Sequence, residues 1–278
     1  MLDLSSPSAR VVFTLVLGAI ALFLFFPIYW LTISAFKGNA ELYRIIPTLW
    51  PNAPVLDNFV TAFGRGRLLD QLRNSLVVSG SAAALNTMLA MYAGYSFAKF
   101  RYAGRRWTML LLLSAQVFPF GLLLISLYPL VTELGLIDTH LGLTLSYIVF
   151  ALPVSTYMLY SYFTQVPSEL IEAARADGAG ELRIFHTIVL PVSVPALVTV
   201  FLYGFMWSWN DLLYSLTLIV SEDKRTIGPG LLLSYLNEVN ADWGGAMAAS
   251  LVASSPIVVA FAFLQRWFIQ GVTAGAVK

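Results

Sequence analysis

Cysteine is absent from the 278-residue chain and histidine occurs only twice, so disulfides and thiolate metal centres are excluded. No His-Glu-x-x-His spacing occurs, which removes the commonest helical zinc-enzyme pattern and leaves no metal site to name. Charge is scarce: Asp, Glu, Lys and Arg make up 11% of residues, against roughly 25% in an average soluble domain. A net charge of +1 gives no basic footprint for nucleic acid. No Gly-Lys dipeptide occurs, so the chain lacks the phosphate loop whose lysine and amides hold the β and γ phosphates of a nucleotide. Internal repeats and low-complexity tracts are missing as well, and no residue pattern calls for a cofactor.

What is present is apolar. Hydrophobic residues reach 58% and the mean hydropathy is +0.77, the composition of an integral membrane protein. A helix needs about 20 apolar residues to cross a hydrocarbon core of roughly 30 Å. Charge-free stretches of that length predict six spans at about 11–36, 74–98, 107–132, 141–163, 191–220 and 244–265. The strands of a membrane barrel are shorter and alternate in polarity, which no succession of segments does here. The first window is longer than the roughly 7 to 15 residue core of a signal peptide and is read as a retained span. The expectation is an all-α integral membrane fold in a single domain, 1–278, with both termini on one side.

Orientation rests on Lys and Arg near the span ends. Lys99, Arg101, Arg105 and Arg106 crowd one short link, which suits a cytoplasmic loop. Arg10, Arg175, Arg183, Arg266 and Lys278 fall on that side, against seven cations on the other, so the asymmetry is modest. The N and C termini are placed in the cytoplasm of a multi-pass membrane protein. The outer loop 37–70 holds Pro47, Pro51 and Pro54 with a tip at Gly64-Arg65-Gly66, which suggests a short extended excursion. A second outer loop covers 222–242.

The loop 164–190 interrupts the apolar background with Glu172-Ala173-Ala174-Arg175-Ala176-Asp177-Gly178. Pro167-Ser168 is a helix-opening pair, and Glu169 and Glu172 suit the positive end of the helix dipole. Gly178 can take the left-handed conformation that ends a helix. Beyond it Leu182, Phe185 and Val189 predict one apolar face, and Pro191 is expected to open the fifth span. Patterning alone leaves this helix-turn-helix open between a lipid-surface connector and a docking element.

Glu-Ala-Ala, three residues, Gly, nine residues, Ile, one residue, Leu-Pro, which here runs from Glu172 to Ile188, Leu190 and Pro191, resembles the signature loop of the membrane subunits of bacterial ABC importers. Arg73-Asn74-Ser75, the run Ala93 to Phe100, Trp209-Asn210-Asp211 and the tail from Gln265 to Lys278 are similar to permeases of the maltose-type carbohydrate branch. The resemblance implies a coupling helix that docks into cytoplasmic ATP-binding subunits, with Glu172, Ala173, Ala174, Asp177, Gly178, Leu190 and Pro191 as the coupling set. Small side chains at Ala173 and Ala174 would allow close approach, and Gly178 would set the angle between the two arms. It also implies an extracytoplasmic solute-binding protein, a second permease subunit forming a heterodimer in the lipid bilayer, and a tail in which Thr273, Gly275 and Lys278 reach the ATPase. No bond chemistry is expected in this chain.

A charged side chain inside a span is costly and usually faces a cavity or a partner. Asp211 is such a residue, and with Trp207, Trp209, Asn210 and Tyr214 it offers aromatic and hydrogen-bonding groups of the kind that hold sugars. The other reading of Asp211 is structural, as a cap on a broken helix or a pairing group for a neighbouring subunit. Gln116 and Asn86 are weaker members of the same class, suited to interhelical hydrogen bonds. Lines of small residues, Ala90, Gly94 and Ala98, then Gly245, Ala249 and Ala253, suit close helix packing. A permease for glycerol phosphate, an amino acid or an anion stays open as an alternative. A secondary transporter would need inverted repeats and further buried ionisable groups, and a membrane enzyme a paired acid and base; neither pattern occurs.

Overall fold

The computed structural model describes residues 7–65, 67–236 and 241–276, and among these every regular element is helical. In chain order they are α1 (Pro7–Ala35), α2 (Asn39–Leu42), α3 (Asp57–Arg65), α4 (Leu68–Lys99), α5 (Arg105–Ser114), α6 (Phe120–Glu133) and α7 (His140–Gln165). The second half continues with α8 (Ser168–Ala176), α9 (Glu181–Ile184), α10 (Leu190–Val192), α11 (Val194–Trp209), α12 (Leu213–Leu218), α13 (Ile227–Tyr235) and α14 (Trp243–Ala276). Four helices, α1, α4, α7 and α14, are long and apolar enough to cross a membrane, and two bent pairs bring the candidates to as many as six.

The bent pairs depart from the expectation of straight rods. Between α5 and α6 the axis turns by 103°, where Phe118 leaves the helical region with ψ of 131° ahead of Pro119. A proline disfavours the helical conformation in the residue before it and cannot donate to the preceding turn, so the chain restarts as a new helix. The fifth segment turns by 79° at Ser193, ends at Trp209 and resumes at Leu213. Pro191 therefore does not open the long rod. It sits in the three-residue turn α10, and α11 begins at Val194 with Pro195 in its first turn, where a missing N–H costs nothing. The expected extended tip at Gly64 is also replaced by helix, since α3 runs through it.

The chain forms two compact units, each with its own contacts. The first takes Met1–Leu68 and Gly230–Ser255. Its polar groups are used on backbone ends: the Asn58 amide donates to Ala35 O at 2.9 Å and Lys37 O at 2.8 Å, closing the end of α1. Lys37 is buried, with its ammonium 4.7 Å from the centre of the Trp30 ring and donating to Thr48 O. The Tyr235 hydroxyl donates to Ala62 O at 2.8 Å. Of the small-residue line in α14, Ala249 and Ala253 are buried.

The second unit, Leu69–Pro229 and Pro256–Lys278, holds α4, α7 and α11 at backbone distance. A Cβ added to Gly94 would lie 2.9 Å from Tyr160 N, and one added to Gly204 would lie 3.3 Å from the Asn86 amide nitrogen. Ala90 is fully buried on the same side as Gly94, and Ala98 packs against the same cluster, so this line serves packing within the chain. Asn86 is buried and donates to Ser155 Oγ at 2.7 Å, the interhelical role expected of it. Gly94→Val should cost about 1–3 kcal/mol through overpacking, seen as a lower unfolding temperature by tryptophan fluorescence in detergent. Gly80→Ala in the same helix, with nothing within 4 Å of the new Cβ, should not lower it.

Candidate functional site

The loop after α7 is built by local rules. Pro167 leads into α8, and Glu169 stands in its first turn. At the other end Gly178 has φ of +82°, with Gly178 N bonded to Arg175 O at 3.0 Å and Ala179 N to Ala174 O at 3.0 Å. That pair of bonds is the left-handed helix stop in which a glycine avoids a Cβ clash. Gly180 is extended, α9 comes next, and Arg175 Nε donates to Glu181 Oε1 at 2.6 Å across the turn.

The expected apolar face of the second arm is shifted. Residues Phe185–Val189 form a π-helical turn, whose extra residue rotates the side chains beyond it about the helix axis. Phe185 and Val189 are buried as expected and Ile184 joins them, whereas Leu182, which precedes the π turn, is 72% exposed and off the face. These three join Tyr95, Phe163, Val166, Ile171, Ala174 and residues of α11 in one hydrophobic cluster. Within it the Tyr95 and Phe185 rings are 4.6 Å apart, and the Phe163 ring meets Tyr95 edge-on at 5.8 Å. Polar contacts rim the cluster. Lys99 Nζ donates to Val166 O at 2.7 Å, and His186 Nδ1–H donates to Leu182 O at 2.8 Å, leaving Nε2 to accept from the Tyr92 hydroxyl at 3.1 Å.

The coupling set therefore divides. Glu172, Ala173, Asp177 and Gly178 are exposed together at the tip of the loop. Ala174 is buried in the chain's own core and Leu190 packs against it, so the small side chain at Ala174 serves internal packing. Pro191 is exposed on the next turn. Lys278 and the side chains of Thr273 and Gly275 lie outside the described residues.

The substrate-path candidates also divide. Asp211 is buried at the break between α11 and α12, and its carboxylate accepts from the Tyr147 hydroxyl at 2.7 Å, Ser215 N at 3.0 Å and Tyr214 N at 3.3 Å. Two of these donors are orphan amides of the new helix, so Asp211, one residue before the N-cap position Leu212, satisfies them as a cap would. Tyr214 stacks on Phe120 at 4.3 Å and donates to Phe120 O at 3.0 Å. Trp207 meets Phe120 and Phe150 at 4.4 and 4.2 Å, and Gln116 Nε2 donates to Phe150 O at 2.8 Å. Trp209 is buried apart, stacked on Phe205 at 5.4 Å, and Asn210 donates to its own Met206 O at 2.8 Å. A mostly apolar cavity of about 820 Å³ is lined by Tyr203, Met206, Trp207, Asn210 and Asp211, with Thr199 adding a hydroxyl. Tyr147, Phe120 and Phe150 had no signal in the sequence, being aromatic residues in apolar runs. Among the described residues no group of three or more His, Asp and Glu could hold a metal ion.

A third cluster closes the segment after α12. Asp138, at φ of +58°, accepts from Val220 N, Ser221 N, Ser221 Oγ and Lys224 Nζ at 2.9, 2.8, 2.5 and 3.0 Å. Asn74 donates to Asp223 O and Arg225 O, and Ser75 Oγ accepts from Ile227 N. Two residues of the Arg73-Asn74-Ser75 motif, Asn74 and Ser75, thereby cradle the 223–227 turn. A Cβ on Gly228 would lie 2.7 Å from Asp211 O, so this turn seats directly on the broken helix.

With this geometry in place, a family model described as binding-protein-dependent transport system inner membrane component matches residues 86–274. The chain belongs to this family. This inner membrane component, with its several apolar helices, is 34% identical to the inner membrane ABC transporter permease protein YcjP of Escherichia coli (strain K12), over 93% of this chain and 94% of that one. It is also 34% identical to the maltodextrin transport system permease protein MdxG of Bacillus subtilis (strain 168), over 95% and 94%. Among solved structures it resembles a chain of a bacterial ABC transporter involved in the import of the acidic polysaccharide alginate. That match has a TM-score of 0.83 at 20% identity and covers 95% and 98% of the two chains, a likeness of fold.

The Ser221 hydroxyl and amide, then Lys224 and the Val220 amide, hold the Asp138 carboxyl well below the usual carboxylate range. A carboxyl depressed in the native state stabilises the loop above its unfolded value of about 3.9, and loses that contribution only as pH falls through the lower native value. Hydrogen exchange at 219–224, corrected for intrinsic rates, should be equally slow at about pH 7 and about pH 5. Ser221→Ala, which removes the largest cause, should speed it at both; unchanged exchange would show that the clasp does not hold the loop.

Proposed function

We propose that this chain is the permease subunit through which an ABC importer passes a sugar or short oligosaccharide, driven by ATP hydrolysis in separate subunits. The observation that carries the reading is the two-sided loop after α7. Its exposed tip, Glu172, Ala173, Asp177 and Gly178, is free to dock, while its inner face is continuous with the core of α4, α7 and α11. A force applied at the tip reaches three long helices through close-packed side chains, which transmit displacement because there is little free volume to absorb it.

Carbohydrate is favoured by the relative named for maltodextrin transport. The cavity beside Asp211 fits that solute class in size, with the Trp207 face and the Asn210 and Thr199 polar groups available to a sugar. Asp211 already spends its acceptors on Tyr147, Tyr214 and Ser215, which supports a positioning role for it and shifts the substrate path toward Trp207 and Asn210.

The same reading takes the two bent pairs as the third and fifth of six spans, with both termini in the cytoplasm. It includes a second, different permease subunit, an external solute-binding protein, and a tail contact by Thr273, Gly275 and Lys278 with the ATPase. The absence of a Gly-Lys dipeptide supports a separate ATPase. Binding of the loaded solute protein and closure of the nucleotide subunits would then alternate the access of the cavity to the two faces.

The test is coupling in a reconstituted complex. Glu172→Lys and Gly178→Asp should each lower solute-stimulated ATP hydrolysis by about tenfold or more, about 1.4 kcal/mol of coupling, with normal membrane insertion. Normal coupling in both variants would overturn the proposal.

A further inference from the structure

The link between α4 and α5 is the most cationic part of the molecule, and the docking role proposed for the tip at Glu172–Gly178 does not use it. From Gln71 to Thr132 the sequence contains no Asp or Glu, yet it contains Arg73, Lys99, Arg101, Arg105 and Arg106. Lys99 is engaged with Val166 O, and Arg105 donates one bond to Phe100 O at 3.0 Å. The side chains of Arg101 and Arg106 are exposed and make no hydrogen bond or ion pair among the described residues. Gly104, at φ of +83°, turns the chain so that Arg105 and Arg106 open a ten-residue helix.

Two adjoining depressions share Arg105 and Arg106. The first is polar and open, formed by Arg101, Tyr102, Gly104 and Trp107 with the two shared arginines. The second, of about 370 Å³, continues from them as an apolar groove between α5 and the ends of α4 and α7, along Phe97, Met109, Leu110, Leu113, Tyr157 and Tyr160. Trp107 is 76% exposed beside the arginines, and Tyr102 and Tyr157 are exposed as well. Amphipathic aromatic rings concentrate at the level of lipid headgroups.

We infer that this paired site binds an anionic glycerophospholipid, with the phosphate held by Arg101, Arg105 and Arg106 and one acyl chain lying along the α5 groove. Guanidinium groups suit phosphate because their planar fork donates two hydrogen bonds at once. A protein surface rich in carboxylates would match the charge but would leave the groove of Leu110, Leu113, Tyr157 and Tyr160 unused. A free phosphate compound would leave it unused too. The groove starts at the cations and runs along a helix of a candidate membrane pair, which is the shape of a two-part amphiphile. Basic pockets between membrane helices commonly take anionic headgroups.

The test uses the full chain, purified with whatever subunits accompany it, and measures lipid retained by native mass spectrometry. Phosphatidylglycerol should bind tighter than phosphatidylcholine. Arg101→Gln and Arg106→Gln should each weaken the anionic lipid by about fivefold, the equivalent of ~1 kcal/mol per cation at a membrane surface, with no change for phosphatidylcholine. A phosphatidylglycerol with six-carbon chains should bind more weakly than the long-chain lipid, and glycerol phosphate should not displace the latter. Displacement by glycerol phosphate, or equal retention of both lipids by the wild type, would overturn the inference. So would loss of a companion subunit from the Arg106→Gln complex with lipid retention unchanged, because the cations would then belong to a protein interface.

Discussion

The contact on which the rest of the second unit depends is the packing of Phe185 against Tyr95 and Phe163. It is where a loop of the polar surface becomes part of the apolar interior. Phe185 and Val189 come from the loop, Tyr95 from α4, Phe163 from α7, and Ala196 and Val200 from α11, and all are buried in one cluster. Interiors packed to crystal density do not flow, so side chains that interlock in this way move together or not at all. The loop is thus an extension of three helices and cannot drift as a tether would. Small residues make this arrangement possible, because at Gly94 and Gly204 the absence of a side chain lets the helices approach closely.

The long helices were legible because the absence of charge is an unambiguous signal over twenty residues, and α1, α4, α7 and α14 each contain all or nearly all of one of the charge-free windows. The breaks were not. Apolar composition runs unaltered through Ala115–Pro119 and through Ser193, so hydropathy reports a span whether the backbone is straight or bent. Proline does not resolve the matter, since Pro27, Pro129, Pro153 and Pro256 all lie inside continuous helices. Membrane helices tolerate proline where neighbours satisfy the freed carbonyl, and that compensation depends on tertiary structure.

The candidate site was legible at its tip and opaque in its depth. The turn at Gly178 comes from local chemistry, as does the exposure of Glu172 and Asp177 around it. Leu182 was placed on the buried face because apolar spacing carried the stripe back one step too far; Ile184, two residues on, takes the inner position instead. Asp211 stood out in the sequence as a lone acid, but its partner Tyr147 lies 64 positions away in an unremarkable helix. A buried carboxylate announces that a partner exists and does not say which one.

Lys99 and Gly94 together define how α4 and α7 can move. The lysine ties the end of α4 to the carbonyl of Val166, the residue that follows α7, and the glycine brings the two backbones together five residues earlier, roughly 7.5 Å along the axis. Both contacts join the same two helices within two turns, so this end of the α4–α7 pair is tied by a polar contact at its rim and by backbone packing just inside it. A change that loosened either contact would therefore be felt by both helices at the level of the loop that follows α7.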